Sequence, residues 1–224
     1  RRGPRDAVLK LTPAATMAPP QAIVNPYPLG GVSVGGPTGA TGASLTRWAS
    51  LLGFGPPAAA IELLTSQLPA MERGAAGLMI DPSLSGSRFP DWRSDRTGAV
   101  HGHRIDHEPL HFLLAAAEGA AHVVRHAVDT LDPTGSSPVV LAGGAARSST
   151  LTQLRADLLG RTIEVSDEPD VSLLGSALLA MIGVGMSVDE FSRGSERTIV
   201  HPDPAATADY DELHLQWCQQ FDFT

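Results

Sequence analysis

Residues 139–160 read VVLAGGAARSSTLTQLRADLLG, and their order sets the fold class. Val139, Val140 and Leu141 are β-branched or apolar and stand just before a glycine pair, the pattern of a strand buried on both faces. Gly143, Gly144 and Ala145 carry almost no side chain, so a flat ligand can lie against the backbone there. Thr150 and Gln153 have capping-box spacing, which predicts a helix start near Ser149. A free helix N-terminus offers N–H donors and the positive end of the dipole, a setting that suits a nucleotide. A strand, a Gly-Gly turn and a helix also occur in α/β proteins that bind nothing at the turn, so both readings stand on this stretch alone.

The flanks extend the pattern. Upstream stand GLMIDPSLSGSRFPDW (Gly77 to Trp92), then Gly98, Gly102 and His107, then AAAEGAAHVVRHAVDTL (Ala115 to Leu131). Downstream stands DVSLLGSALLAMIGVG (Asp170 to Gly185). Four motifs follow in order: Pro82–Leu84–Gly86–Arg88–Pro90, then Ala115–Glu118–Gly119, then Gly143–Gly144 with Ala156–Asp157–Gly160, then Leu174–Gly175–Ala177–Ala180. Over about residues 6–200 this set resembles the C-terminal domain of the FGGY family of carbohydrate kinases, leaning toward the xylulose, gluconate and ribulose kinases. The resemblance implies an α/β fold of the actin-like (ribonuclease-H-like) ATPase type, with a mixed sheet flanked by helices. It treats residues 1–224 as a single C-terminal kinase domain whose N-terminal sugar-binding domain is absent, ending in a helical tail over 205–224.

Length allows one large domain or two small ones, and composition excludes some partners. The chain has 224 residues and a formal charge of −8, so a nucleic-acid surface is not expected. Lys10 is the only lysine and Cys218 the only cysteine, so no internal disulfide forms, which fits a reducing, cytoplasmic setting. The longest uncharged apolar run, Val171 to Met186, is shorter than the ~20 residues of a membrane span and reads as a buried helix, with Gly175 and Ser176 allowing close packing. Arg1 and Arg2 lead into charged, proline-rich sequence instead of a secretory core. The chain begins without Met, as a fragment or trimmed chain would.

Periodicity and punctuation predict strands at Asp6–Leu11, Ala22–Asn25, Val32–Val34, Ala75–Ile80, 138–142 and Thr162–Val165. Thr12–Pro20 reads as turns. Helices are predicted at Ser44–Leu52, Ala58–Leu68, His107–Leu131, 149–159, from Val171, and at Asp209–Gln219. Asp81–Arg104 reads as a long loop.

The resemblance also assigns site residues. Gly143, Gly144, Ala145 and Ser148 occupy the positions that face adenosine. Thr12 falls where the family has a Gly-Thr pair touching nucleotide phosphates, although Leu11 removes room for backbone approach and Pro13 removes a donor. Gly42, in the segment ending at Trp48, matches another nucleotide-facing position. Asp157 matches the family's Ala-Asp dipeptide, as a ligand contact or as a helix-face carboxylate. Two departures stand out: Ser87 where Glu is usual, and Leu114 where Arg is usual. The family's catalytic aspartate lies in a segment preceding Asp6, so no catalytic residue is expected in this chain. Asp6 itself reads as a turn residue. ATP or ADP would bind here, with Mg2+ held mainly by the missing domain, and a sugar or polyol would bind through that domain.

His107, His111, His122 and His126 would share one stripe of a single helix, with His101 and His103 nearby; zinc and ordinary hydrogen bonding are the two readings, and no metal site is assigned. Two functions remain open. One is the ATP-binding half of a sugar or polyol kinase, inactive alone. The other is a catalytically inactive nucleotide-binding or interaction module derived from one. Apolar surface left bare by a missing half would favour self-association, and a homodimer fits the family.

Overall fold

The computed structural model describes residues 6–13, 18–39, 42–168, 170–187 and 197–223. In chain order the elements are β1 (Ala7–Thr12), β2 (Ile23–Pro26), β3 (Val32–Pro37), α1 (Gly42–Leu51), α2 (Pro57–Gln67), β4 (Met79–Asp81), β5 (Ala99–His101), α3 (Pro109–Leu131), β6 (Val139–Leu141), α4 (Ser149–Leu159), β7 (Ile163–Ser166), α5 (Val171–Gly183), β8 (Arg197–Val200) and α6 (Pro204–Phe221). The predicted turn region Thr12–Pro20 lies partly outside the described residues.

The α/β reading holds, with the strands divided among three small sheets. An antiparallel sheet has the order β1-β3-β2, β4 pairs β5 antiparallel, and a mixed sheet has the order β6-β7-β8 with β6 and β7 parallel.

Helix α3 organises the core. Its middle is alanine-rich, and Leu113 to Val123 are all buried, so neighbours approach its backbone closely. One face packs with Ala49 of α1, Ala60 and Leu64 of α2, Leu151, Leu154 and Leu158 of α4, and Tyr210 of α6. Gly119 is required at the β4 crossing: a Cβ there would lie 2.2 Å from the Ile80 carbonyl oxygen. The same oxygen accepts a hydrogen bond from Trp217 Nε1 at 3.0 Å, so α3, β4 and α6 meet at one atom. The end of α3 is tied to β1 through Asp132, which takes Lys10 Nζ and Arg161 Nη2 at 2.8 Å each. Burial opposes that carboxylate's charge, but the hydrogen bonds from Lys10, Ser137 and Arg161 prevail and hold its pKa far below the usual range.

The loop after β4 is anchored along its length. Asp81 forms a buried pair with Arg96 at 2.7 Å. Arg96 also donates to the Phe221 carbonyl and lies 3.6 Å from the centre of the Phe223 ring. Residues 99–101, read as loop, form β5 because their backbone groups pair with β4.

Four expectations change. Ala75–Gly77 is a 3-10 turn and not strand, with Ala75 and Ala76 at positive φ; Glu118 Oε1 accepts from the Gly74 amide and His107 Nε2 donates to the Ala76 carbonyl, so tertiary bonds override the strand pattern. Val140 is 48% exposed, so β6 is not buried on both faces. The α4 cap is Ser148, whose hydroxyl accepts from the Leu151 amide, while Gln153 bonds Asp157 and the His201 carbonyl instead. Helix α5 forms where expected but none of its residues is buried, and a Cβ at Gly175 would meet nothing within 4 Å. No described element covers it: Leu173 is 68% exposed and Val184, its C-cap, 75%. Among the described residues no helix is long and apolar enough to cross a membrane.

Candidate functional site

The turn between β6 and α4 is open. Gly143 has φ +76°, a conformation that side chains resist, and an added Cβ at Gly143 or Gly144 meets nothing within 4 Å. A planar group therefore has room against this backbone. Gly144 is exposed and Gly143, Ala145 and Ser148 are half-buried. Ser148 spends its oxygen on the helix cap, which fixes the direction of the first turn of α4. Arg147, exposed, closes the turn with a positive charge.

Gly42 begins α1, and its amide donates to Asp6 Oδ2 at 3.1 Å. A carboxylate at a helix N-terminus is favourable, and Asp6 thereby anchors α1 to the start of β1. Arg155 of α4 donates to the Ala145 carbonyl at 3.1 Å and the Leu151 carbonyl at 3.3 Å. Burial works against the charge of Arg155, and the Asp6 carboxylate offsets part of that effect. Asp6 thus fixes the Gly42 terminus and Arg155 the Gly143–Ser148 turn. Sequence reading passed over both: Asp6 looked like a turn residue, and the spacing from residue 6 to 155 leaves no local signal.

Thr12 is at the far end of β1 from Asp6. It ends β1 opposite Val32, and six residues of extended chain from Asp6 span about 20 Å. Asp157 also points away from the turn; its Oδ1 takes Gln153 Nε2 and the Asp203 amide at 2.8 Å each, tying α4 to the start of α6.

A cleft of about 760 Å³ lies behind α4, between α3, α6 and residues 68–73. Its lining carries Glu72, Glu118, Asp157, Asp209 and Glu212 against one guanidinium, Arg73, already paired with Asp209 at 2.9 Å. Phosphates are repelled from such a lining. Glu118 sits at its floor, accepting from the Gly74 amide and Tyr210 hydroxyl at 2.9 Å each. Burial raises its pKa to about 7 against the lowering effect of those two bonds.

The histidines do not act as one stripe. His107 and His111 serve the start of α3, accepting from the Arg104 and Glu108 amides. His122 turns inward to His214 of α6, with Nδ1 atoms 3.0 Å apart, and stacks on Trp217. Burial holds His122 well below the usual histidine range and His214 at about 3. Among the described residues no three His, Cys, Asp or Glu side chains converge on a metal position.

Known proteins resemble this chain over most of its length. A gluconokinase from Bacillus licheniformis is 29% identical over 173 residues, covering 70% of this chain and 33% of its own. A xylulose kinase from Bacillus subtilis is 33% identical over 132 residues, 58% of this chain and 26% of its own. The structure of a xylulose kinase from Lactobacillus acidophilus matches 97% of this chain and 45% of its own at TM-score 0.82 and 21% identity, which establishes likeness of fold. A Plasmodium falciparum glycerol kinase solved with ADP matches 98% of this chain and 46% of its own at TM-score 0.77 and 22% identity. The chain therefore spans between a quarter and a third of the length of these curated relatives and under half of these solved chains. Residues 11–184 match the C-terminal domain of the FGGY family of carbohydrate kinases, and the chain belongs to that family.

Proposed function

We propose that the chain is the nucleotide-binding part of an ATP-dependent carbohydrate kinase of the actin-like fold, and that Gly42, Gly143, Gly144, Ala145 and Ser148 form its adenine-nucleotide site. The observation that carries this is the open space beside Gly143 and Gly144, next to a capped helix N-terminus and Arg147. The base would lie against the turn and the phosphates would run toward Gly42. The amide of Gly42 already serves Asp6, so what Gly42 offers a ligand is its missing side chain. Mg2+ would arrive with the phosphates, since the described residues supply no cluster of donors for it.

The substrate would be a sugar or polyol hydroxyl, bound by the part of the kinase that this chain does not span. The bare apolar faces support that arrangement. Leu9 and Leu11 of β1 and Ile23 of β2 are exposed, and Leu9 and Ile23 stand in one row across Gly35. With α5, they offer apolar surface for the remainder of the kinase to cover; a homodimer is the other occupant. A non-catalytic nucleotide module is the second reading, favoured by the Asp6 carboxylate at the helix terminus that the phosphates approach.

Gly144→Val tests the site. Gly144 needs no unusual φ and an added Cβ meets nothing within 4 Å, so the backbone accepts a side chain there while the space for the base is filled. Calorimetric titration with ADP should show binding to the chain and none to Gly144→Val. Equal affinity for both would refute the assignment. The chain alone should show no sugar-dependent ATP turnover; turnover by the pure chain would refute the division of labour.

A further inference from the structure

We propose that His122 and His214 form a clasp that holds α6 on α3 only while both rings are uncharged, so that acid releases α6 and, with it, the loop of residues 82–98. The two Nδ1 atoms stand 3.0 Å apart, so one carries a proton and the other offers its lone pair. His122 is 4% exposed and His214 7%. His214 Nε2 lies 3.5 Å from Cys218 Sγ, and the His122 ring lies within 22° of parallel to the Trp217 indole, centroids 5.2 Å apart. Among the described residues neither ring pairs with a carboxylate. A further proton on the accepting Nδ1 would set two N–H groups against each other. A proton on an outer nitrogen would spare that bond and leave a buried imidazolium with no anion beside it, a costly state.

The surrounding groups do not relieve that charge. On α3, Arg125 is itself positive and turns to Asp211 of α6 at 2.7 Å and Asp129 at 3.5 Å. His126 faces Asp91 of the loop at 3.4 Å. Glu118, one turn before His122, is taken by the Gly74 amide and the Tyr210 hydroxyl of α6. On α6, burial raises the Cys218 thiol to about 11, so it brings no negative charge. Burial, His214 and Arg125 all oppose a charge on His122; burial, Arg125 and His126 oppose one on His214, against Asp211 alone. A released histidine takes its proton near pH 6.5, a docked one far lower. The clasp therefore contributes in full above about pH 6.5 and is lost as pH falls below it. The loss reaches beyond the helix. Arg96 of the loop donates to the Phe221 and Asp222 carbonyls and lies over the Phe223 ring, and Arg93 pairs with Asp222 at 2.7 Å. With α6 lifted, Arg96 keeps only Asp81 of these partners, and the segment Pro82–Pro90 loses its anchor at the chain's end.

Amide hydrogen exchange on the full 224-residue chain, corrected for the intrinsic pH dependence of exchange, reads the opening of residues 205–221 and 82–98. The comparison is with the His122→Asn, His214→Asn double variant, whose side-chain amides reach the Nδ1 positions and do not titrate. Glu118 titrates with the opposite sign, is common to both proteins and cancels in the ratio. Between about pH 7.5 and about pH 5, two histidines that protonate on release should raise the opening constant of the unaltered chain about thousandfold relative to the double variant. Relative to His214→Asn alone the rise should be about thirtyfold, the effect of one histidine. Both segments should open together. A ratio that does not move with pH overturns the clasp, and opening of 205–221 with 82–98 still protected overturns its hold on the loop. Where circular dichroism shows that the variants do not fold, histidine NMR on the unaltered chain decides. His122 and His214 should stay uncharged at about pH 5.5, a full unit below the ordinary value, for as long as the α6 amides are protected. Ordinary titration near pH 6.5 with α6 still docked overturns the proposal.

Discussion

Replacing Gly119 by alanine probes the crossing on which the domain is built. The added methyl carbon would lie 2.2 Å from the Ile80 carbonyl oxygen, where ordinary contact begins at 3.4 Å. Helix α3 and strand β4 must separate by about 1 Å, a repacking that costs about 1–3 kcal/mol. Trp217 Nε1 donates to that same oxygen at 3.0 Å, and weakening the bond adds about 1 kcal/mol. Alanine returns about 1 kcal/mol through its better helix propensity. The net expectation is a loss of about 1–3 kcal/mol. Urea denaturation followed by circular dichroism and tryptophan fluorescence should show a lower midpoint at unchanged slope. An unchanged or higher midpoint would refute the close approach of α3 to β4, and with it the structural reading of the Ala-x-x-Glu-Gly motif.

Gly175 on α5 should behave in the opposite way. Its added Cβ meets nothing within 4 Å, so Gly175→Ala should stabilise the chain by about 0.5–1 kcal/mol; destabilisation would mean that α5 is packed against a neighbour. Glu118 makes stability pH-dependent. Its pKa rises from 4.5 to about 7 on folding, so between those values the folded chain holds a proton that the unfolded chain releases. Stability therefore falls as pH rises through this range and levels above about 7. Glu118→Gln should remove that slope and exceed the parent's stability at pH 8 by about 3 kcal/mol; parallel pH profiles for the two proteins would contradict it.

Much of the fold is legible locally. The bounds of α4 follow from a polar N-terminus and Gly160, which ends the helix in the left-handed region. The long helix α3 follows from its apolar stripe, with Pro109 at its first turn. What escaped depends on partners far away in sequence. Residues 75–77 look like strand until Glu118, 44 positions on, takes the Gly74 amide. Strand β8 was not anticipated because Arg197–Val200 is a short edge whose pairing with β7 alone defines it. His122 reads as one of a helical row until His214, 92 residues later, faces it. For the site, the glycine turn was visible because small residues between a strand and a helix are a local pattern. The Asp6 cap on the Gly42 amide was not, because its two partners stand 36 residues apart. The apolar run of α5 was read correctly as helix and wrongly as buried, since hydropathy reports a preference for burial and not the presence of a partner.

The central claim is that nucleotide binds at the β6–α4 turn. Hydrogen–deuterium exchange of the chain with and without ADP tests it most directly. The account predicts slowed exchange at residues 142–151 and 42–46, with no change in the acidic cleft between α4 and α6. Protection confined to that cleft, or none at the turn at saturating ADP, would contradict it.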